Sequence, residues 1–168
     1  ERGAVYNEKM SAAGKFKPAA GGKKMQFTTI DQHNYRQACC LSVTPEQSGY
    51  LSSAPMILAR AYAYRHQNSE VSLIEEGTDK LGLIMTRETD LGTTVILDQF
   101  FIDQRFQGRG YGRKAMELLL QSLRERRLKR VVLCYREADQ AAARLYRSLG
   151  FTETGERDDD EILMELIL

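Results

Sequence analysis

The densest chemistry in the chain lies in Arg105-Phe106-Gln107-Gly108-Arg109-Gly110-Tyr111-Gly112-Arg113. Glycine at every second position lets a backbone come close to a ligand, because no Cβ stands in the way. A helix is expected to follow, and its first turn offers free N–H groups and the positive end of a dipole. That combination suits an anion such as a pyrophosphate. Two rival phosphate loops fail on spacing. A nucleotide P-loop needs Lys and then Ser or Thr after its last glycine, whereas Gly112 is followed by Arg113-Lys114-Ala115. A dinucleotide fingerprint needs G-x-G-x-x-G, whereas Gly108, Gly110 and Gly112 read G-x-G-x-G. A tight strand-to-helix turn with no ligand is the other reading of these residues.

The elements around this loop follow from periodicity. Thr93 to Ile102 reads as a strand leading into it. The helix that begins near Gly110 carries Met116, Leu119, Leu120 and Leu123 on one face. Val131 to Tyr135 is a short apolar strand. Asp139 can cap a further helix in which Ala142, Leu145, Tyr146 and Leu149 recur at i, i+3, i+4, i+7, and Gly150 ends it. Upstream, Gln26 to Thr29 reads as a strand and Asp31 to Leu41 as a helix. Ser53 can cap a second helix with Pro55 in its first turn and the stripe Ala54, Ile57, Leu58, Ala61. Val71 to Glu75 and Leu81 to Thr86 flank the turn Glu76-Gly77-Thr78-Asp79, and Arg87 to Gly92 joins the next strand. Phe151 to Glu156 and Ile162 to Leu168 form a closing hairpin. The order β α α β β β α β α β β implies an α/β (α+β) domain of three layers. Its sheet is mixed, mostly antiparallel, with six to seven strands and helices on both faces.

Composition narrows the class. The 168 residues are 42% hydrophobic and 28% charged, as in an ordinary globular domain. A net charge of +1 gives no global field toward nucleic acid or an acidic membrane. The basic run Arg124 to Arg130 reads as a solvated helix end. No apolar run reaches the roughly 20 residues that span a bilayer. Cys39, Cys40 and Cys134 form no disulfide framework, which fits a reducing cytoplasm. No Cys/His cluster suggests a metal, and His33 and His66 stand isolated. Residues 1–24, rich in Gly, Ala and Lys, read as a flexible tail or an expression remnant, with Met25 a native start and residues 25–168 the domain.

Two motifs resemble one family. Gln107-Gly108-Arg109-Gly110-Tyr111-Gly112 is similar to the Q/R-x-x-G-x-G/A signature of the Gcn5-related N-acetyltransferases. Ala142-Ala143-Arg144-Leu145-Tyr146-Arg147-Ser148-Leu149-Gly150-Phe151 resembles their A-x-x-L-Y-x-x-x-G-F segment. Leu97-Asp98-Gln99-Phe100-Phe101-Ile102-Asp103 further resembles the bacterial spermine/spermidine acetyltransferases. The resemblance covers residues 25–168. It implies acetyl-CoA as co-substrate and a small primary amine as acceptor, a polyamine by the closer likeness, with no nucleic acid and no membrane; a homodimer is left open. Another amine, or a non-catalytic acetyl-CoA-binding module, is the alternative.

The resemblance also implies roles. The loop from Gln107 through Gly108, Arg109, Gly110, Tyr111 and Gly112 to Arg113 would hold the pyrophosphate with its backbone. The strand end Phe100-Phe101-Ile102 would pair with the pantetheine arm and offer an N–H to the thioester oxygen. Tyr146 would protonate the leaving thiolate. Where many members carry Asn before this helix, Asp139 stands here, and a helix N-cap explains it equally well.

The chemistry sets its own demands. A lysine-like amine of pKa near ~10.4 costs about 4–5 kcal/mol to deprotonate at pH 7. Asp98, a charge in an apolar strand, reads as a base, as a ligand for a second ammonium, or as a residue on an exposed strand face with no role. Tyr146 reads as a general acid or as one more core residue of its stripe. Cys134 reads as core, since no histidine is placed to activate it for a covalent route. The carboxylates Glu75, Glu76, Glu88, Asp90, Asp98 and Asp158 to Glu161 read mostly as solvated turns, part of which could attract a polycation.

Overall fold

The computed structural model describes residues 24–89 and 92–168; the tail through Lys23 and the acidic residue Asp90 lie outside them. The elements are β1 (Met25–Thr29), α1 (Tyr35–Cys39), α2 (Ala54–Ala63), β2 (Glu70–Glu76), β3 (Asp79–Glu88), β4 (Thr94–Ile102), α3 (Tyr111–Glu125), β5 (Arg130–Arg136), α4 (Gln140–Ser148), β6 (Thr152–Asp158) and β7 (Glu161–Ile167). Their order is the one read from the sequence. The strands form one sheet in the order β1-β2-β3-β4-β5-β7-β6, and β4 with β5 is its parallel pair.

Strand alternation sorts the apolar side chains into two layers. Ile74, Ile84, Val95, Leu97, Val131 and Leu133 meet the buried stripe of α3 and Ala143 and Tyr146 of α4. Leu73, Leu83, Met85 and Phe101 point the other way, onto Ala38 of α1 and Ala54, Ile57 and Ala61 of α2. The expected stripe of α3 is buried as read: Met116, Leu119, Leu120 and Leu123 all lie in the core.

Local chemistry corrects the first helix. It was expected from Asp31, yet α1 begins at Tyr35. Asp31 Oδ1 instead accepts the N–H groups of His33 (2.7 Å) and Asn34 (3.2 Å), and Asn34 Oδ1 accepts Asp31 N–H at 2.8 Å. Side-chain oxygens that satisfy nearby backbone donors compete with helix formation. At α2, Pro55 sits in the first turn as expected, but the Ser53 side chain makes no capping bond.

Candidate active site

The site begins where two parallel strands part. β4 and β5 are paired from Thr94↔Arg130 to Leu97↔Leu133 and no further. On the other side of β4, Met85 pairs with Gln99 and Thr86 with Leu97, so Asp98 is the extra residue of a bulge. A bulge bends its strand and deepens the local twist. Gln99 to Ile102 therefore run on along β3 with no partner from β5. The Asp103 N–H donates to Leu81 O on β3 at 2.8 Å. Backbone groups alternate sides along a strand, so the N–H groups of Phe100 and Ile102 face the gap. Gly82 lets β3 come this close: a Cβ there would lie 2.1 Å from Phe101 O.

The gap opens into a cleft of about 300 Å³ whose walls include Phe100, Ile102, Gly110, Gly112, Cys134 and Tyr146. The glycine loop forms one end. Gly108 (φ 73°) and Gly110 (φ 79°) occupy left-handed conformations that side chains disfavour. Gly110 is the residue before α3, and the first bond of that helix is Lys114 N–H to Gly110 O. The N–H groups of Tyr111, Gly112 and Arg113 thus have no acceptor within the helix. A Cβ on Gly112 would enter the space between Leu145, Ile102 and Phe100.

The side chains of the loop have other tasks. Gln107 Nε2 donates to Ile102 O (2.8 Å) and to Gln47 Oε1 (2.9 Å), which locks the loop to the strand end. Arg113 bonds Ser148 Oγ at 2.6 Å and pairs with Glu117. Arg109 lies over the Phe106 ring at 5.9 Å, and Phe106 meets Tyr111 edge-on.

Asp103, which sequence reasoning passed over, staples the region. It is 1% exposed and accepts Ser42 N–H, Arg105 N–H and Arg105 Nε at 3.0, 3.0 and 2.7 Å. Burial would raise its pKa, but these bonds outweigh burial and hold it below the usual carboxylate range. The Ser42 contact brings the chain between α1 and α2 against the cleft, where Val43, Gln47, Tyr50 and Leu51 join its lining. No periodicity announces those residues.

Tyr146 stands on the opposite wall. The end of α4 holds it: Gly150 N–H bonds Arg147 O and Phe151 N–H bonds Tyr146 O, with Gly150 at φ 93°. This is the two-bond Schellman closure, and its usual apolar contact is the Tyr146–Phe151 ring pair at 5.8 Å. Tyr146 is 7% exposed, and its hydroxyl takes no hydrogen-bond partner among the described residues. Burial, then the nearby Asp139 charge, raises its pKa well above that of a free phenol. Asp139 Oδ1 accepts Ala142 N–H at 3.0 Å, so its helix-cap reading holds.

Two residues lie elsewhere than expected. Cys134 was read as core but is exposed to the cleft, because β5 loses its β4 neighbour just before it. The protein around it still desolvates the thiol, and with the Glu161 carboxylate beside it the pKa rises to about 12. Asp98 is not on an exposed strand face: its side chain is 8% exposed. It accepts Arg60 Nε at 2.8 Å, Arg60 Nη2 at 3.1 Å and Arg87 Nε at 3.3 Å, and it is not among the residues lining the cleft. Of the acidic set, Glu75 pairs with Lys80, Glu76 with Lys114 and Glu88 with Arg126, all away from the cleft.

An unpaired strand edge, free helix N–H groups and a protonated buried phenol in one cleft suit acyl transfer from a long, extended, phosphate-bearing donor. Comparison with known proteins agrees: residues 32–151 match the Acetyltransferase (GNAT) family. The chain belongs to this family. It is an acetyl-CoA-dependent N-acetyltransferase. A spermine/spermidine N(1)-acetyltransferase of Bacillus subtilis is 37% identical over 125 residues, which are 70% of this chain and 81% of that protein. The fold matches a Vibrio cholerae spermidine N-acetyltransferase in complex with CoA and spermine (TM-score 0.70, 17% identity, 85% and 95% of the chains covered). It also matches an Elizabethkingia anophelis GNAT enzyme with acetyl-CoA bound (TM-score 0.62, 12% identity, 86% and 98% covered). No helix among the described residues of the acetyltransferase is long and apolar enough to cross a membrane.

Proposed function

We propose that this acetyltransferase moves the acetyl group to a primary amine of a polyamine such as spermidine or spermine, by direct attack within a ternary complex. The donor supplies the acetyl group as a thioester. The free N–H groups of Tyr111, Gly112 and Arg113 and the left-handed backbone at Gly108 and Gly110 suit its pyrophosphate. The open edge at Phe100 to Ile102 suits its pantetheine arm, and a strand N–H there meets the charge that develops on the carbonyl oxygen. The amine nitrogen bonds to the carbonyl carbon as the carbon–sulfur bond breaks. The amine proton leaves to water, and Tyr146 gives its own proton to the departing sulfur.

The single observation that carries this mechanism is the hydroxyl of the buried Tyr146, protonated and without a hydrogen-bond partner among the described residues, on the wall of the cleft. The raised pKa of Cys134 weighs against a route through an acetyl-cysteine, since the thiol and not the nucleophilic thiolate is present near neutrality. The polyamine acceptor is supported by the likeness to the Bacillus subtilis enzyme over most of both chains.

The test is coenzyme A release from acetyl-CoA over a panel of amines: spermidine, spermine, putrescine, an aminoglycoside, several amino acids and a lysine peptide. Saturable release with spermidine or spermine is expected. Release with a different amine alone would keep the mechanism and overturn the acceptor. A parallel line on varying both substrates would overturn direct attack in favour of a covalent enzyme intermediate.

A further inference from the structure

Several charged side chains stand beside the cleft, and most of them are paired. β5 and β7 pair with Cys134 opposite Leu163 and Arg136 opposite Glu161. Opposed residues in an antiparallel pair share a face, so Cys134, Arg136 and Glu161 look out on one side of the sheet. It is the side away from Tyr135 and Met164, which are buried against α4. Cys134 and Arg136 line the cleft. The register sets Glu161 on the same face as these two, and its carboxylate is near enough to raise the Cys134 thiol's pKa, which puts it beside the cleft.

Several carboxylates near this rim have partners of their own among the described residues. Asp98 holds Arg60 and Arg87. Asp160 holds both Nη1 contacts of Arg136, at 2.5 and 2.7 Å. Glu137 pairs with Arg157. Asp139, the carboxylate in the lining itself, caps α4. Arg136 is directly across from Glu161 in the register, yet its guanidinium is turned to Asp160.

We propose that Glu161 is the specificity-determining residue that binds the non-reacting ammonium of the acceptor, and that Asp160 keeps it available by holding Arg136 away. The inference rests on the polyamine reading above, because it needs an acceptor with a second positive charge. A carboxylate that makes no salt bridge among the described residues, beside a cleft whose lining carries Arg136 and Asp139 as its charges, has much to gain from an ammonium. The neighbouring Cys134 thiol, whose pKa is raised, brings no charge near neutrality.

The experiment compares the full chain with Glu161→Gln and Asp160→Asn, with spermidine and with n-butylamine, which lacks the second charge. Acetyl-CoA affinity is measured alongside as a control for folding. For Glu161→Gln the KM for spermidine should rise about ten- to thirtyfold, the range of a charged hydrogen bond. Its kcat should stay within about twofold, and the n-butylamine parameters should not move. Asp160→Asn, which frees Arg136 to turn to Glu161, should raise the same KM by a smaller factor, with no effect on n-butylamine. An unchanged spermidine KM in Glu161→Gln, or an equal rise with both amines, would overturn the assignment. If the unmodified protein acetylates another amine and not spermidine, the acceptor reading itself fails and this inference with it, a result visible before any variant is made.

Discussion

The two halves of the cleft are built on different principles. The half proposed for the donor is backbone: an unpaired strand edge, left-handed glycines and the first turn of α3. The half proposed for the acceptor is side chains from distant segments, Tyr50 and Leu51 before α2 and Cys134 on β5, with ion pairs beside them. Backbone recognition suits a ligand that never changes, because it tolerates drift in most side chains and demands only glycine where the conformation is left-handed. Side-chain recognition can be retuned one residue at a time. Shared donor chemistry and variable acceptors therefore fit one scaffold.

The comparison can be broken most sharply at its hinge, Tyr146. Tyr146→Phe removes one hydroxyl that holds nothing in place. Steady-state kinetics should show kcat reduced about 10²- to 10³-fold, the usual worth of a general acid. Acetyl-CoA affinity and melting temperature should be nearly unchanged. A fall in stability with intact kcat would make the residue part of the core alone. Because the phenol pKa is raised above its ordinary value near ~10, it stays protonated from pH 7 to 9. The unmodified protein's kcat/KM should thus climb through that range, by up to about tenfold per unit as the amine deprotonates, with no downturn.

The backbone half is tested at Gly82. Gly82→Ala drives a Cβ into Phe101 O, so β3 and β4 must separate. A loss of about 1–3 kcal/mol in denaturant unfolding is expected, together with weaker acetyl-CoA binding, since the open edge at Phe100 to Ile102 moves with it. Normal affinity in the variant would show that this edge does not hold the donor.

Asp98 decides how much of the side-chain half is scaffold. Asp98→Asn leaves two guanidiniums on a neutral amide and should cost about 1–3 kcal/mol of stability. The shape of the pH–rate profile should stay as it was. A lost acidic limb would instead make Asp98 the base. The smallest effect is expected at Cys134. Cys134→Ser keeps a hydrogen-bond donor for Glu161 and should change kcat by less than about threefold, where a covalent route would lose nearly all of it.

Legibility in the sequence followed the same division. The glycine loop and the Leu-Tyr-x-x-x-Gly-Phe turn are short-range devices, and both were readable as residues at fixed spacing. The Schellman closure that holds Tyr146 lies wholly within Tyr146 to Phe151. The α3 stripe was equally plain, because a helix writes its buried face every three to four residues. The start of α1 was misplaced because the turn chemistry of Asp31 and Asn34 holds the first residues out of the helix. Cys134 was misplaced for a longer-range reason. A strand that loses its neighbour partway looks, in sequence, like one that keeps it.

The sequence by itself determined the order of the elements, the glycine loop, the capped helix with its tyrosine and the membership of an acetyltransferase family. Those depend on contacts a few residues apart. Only the tertiary structure decided that Asp98 is clamped by Arg60 and Arg87, that Asp103 draws the α1–α2 segment to the cleft, and that Glu161 comes to stand beside Cys134. These pairings join residues from 11 to 61 positions apart. Which of several carboxylates finds an arginine is set by sheet register and bulges, quantities that no single segment carries.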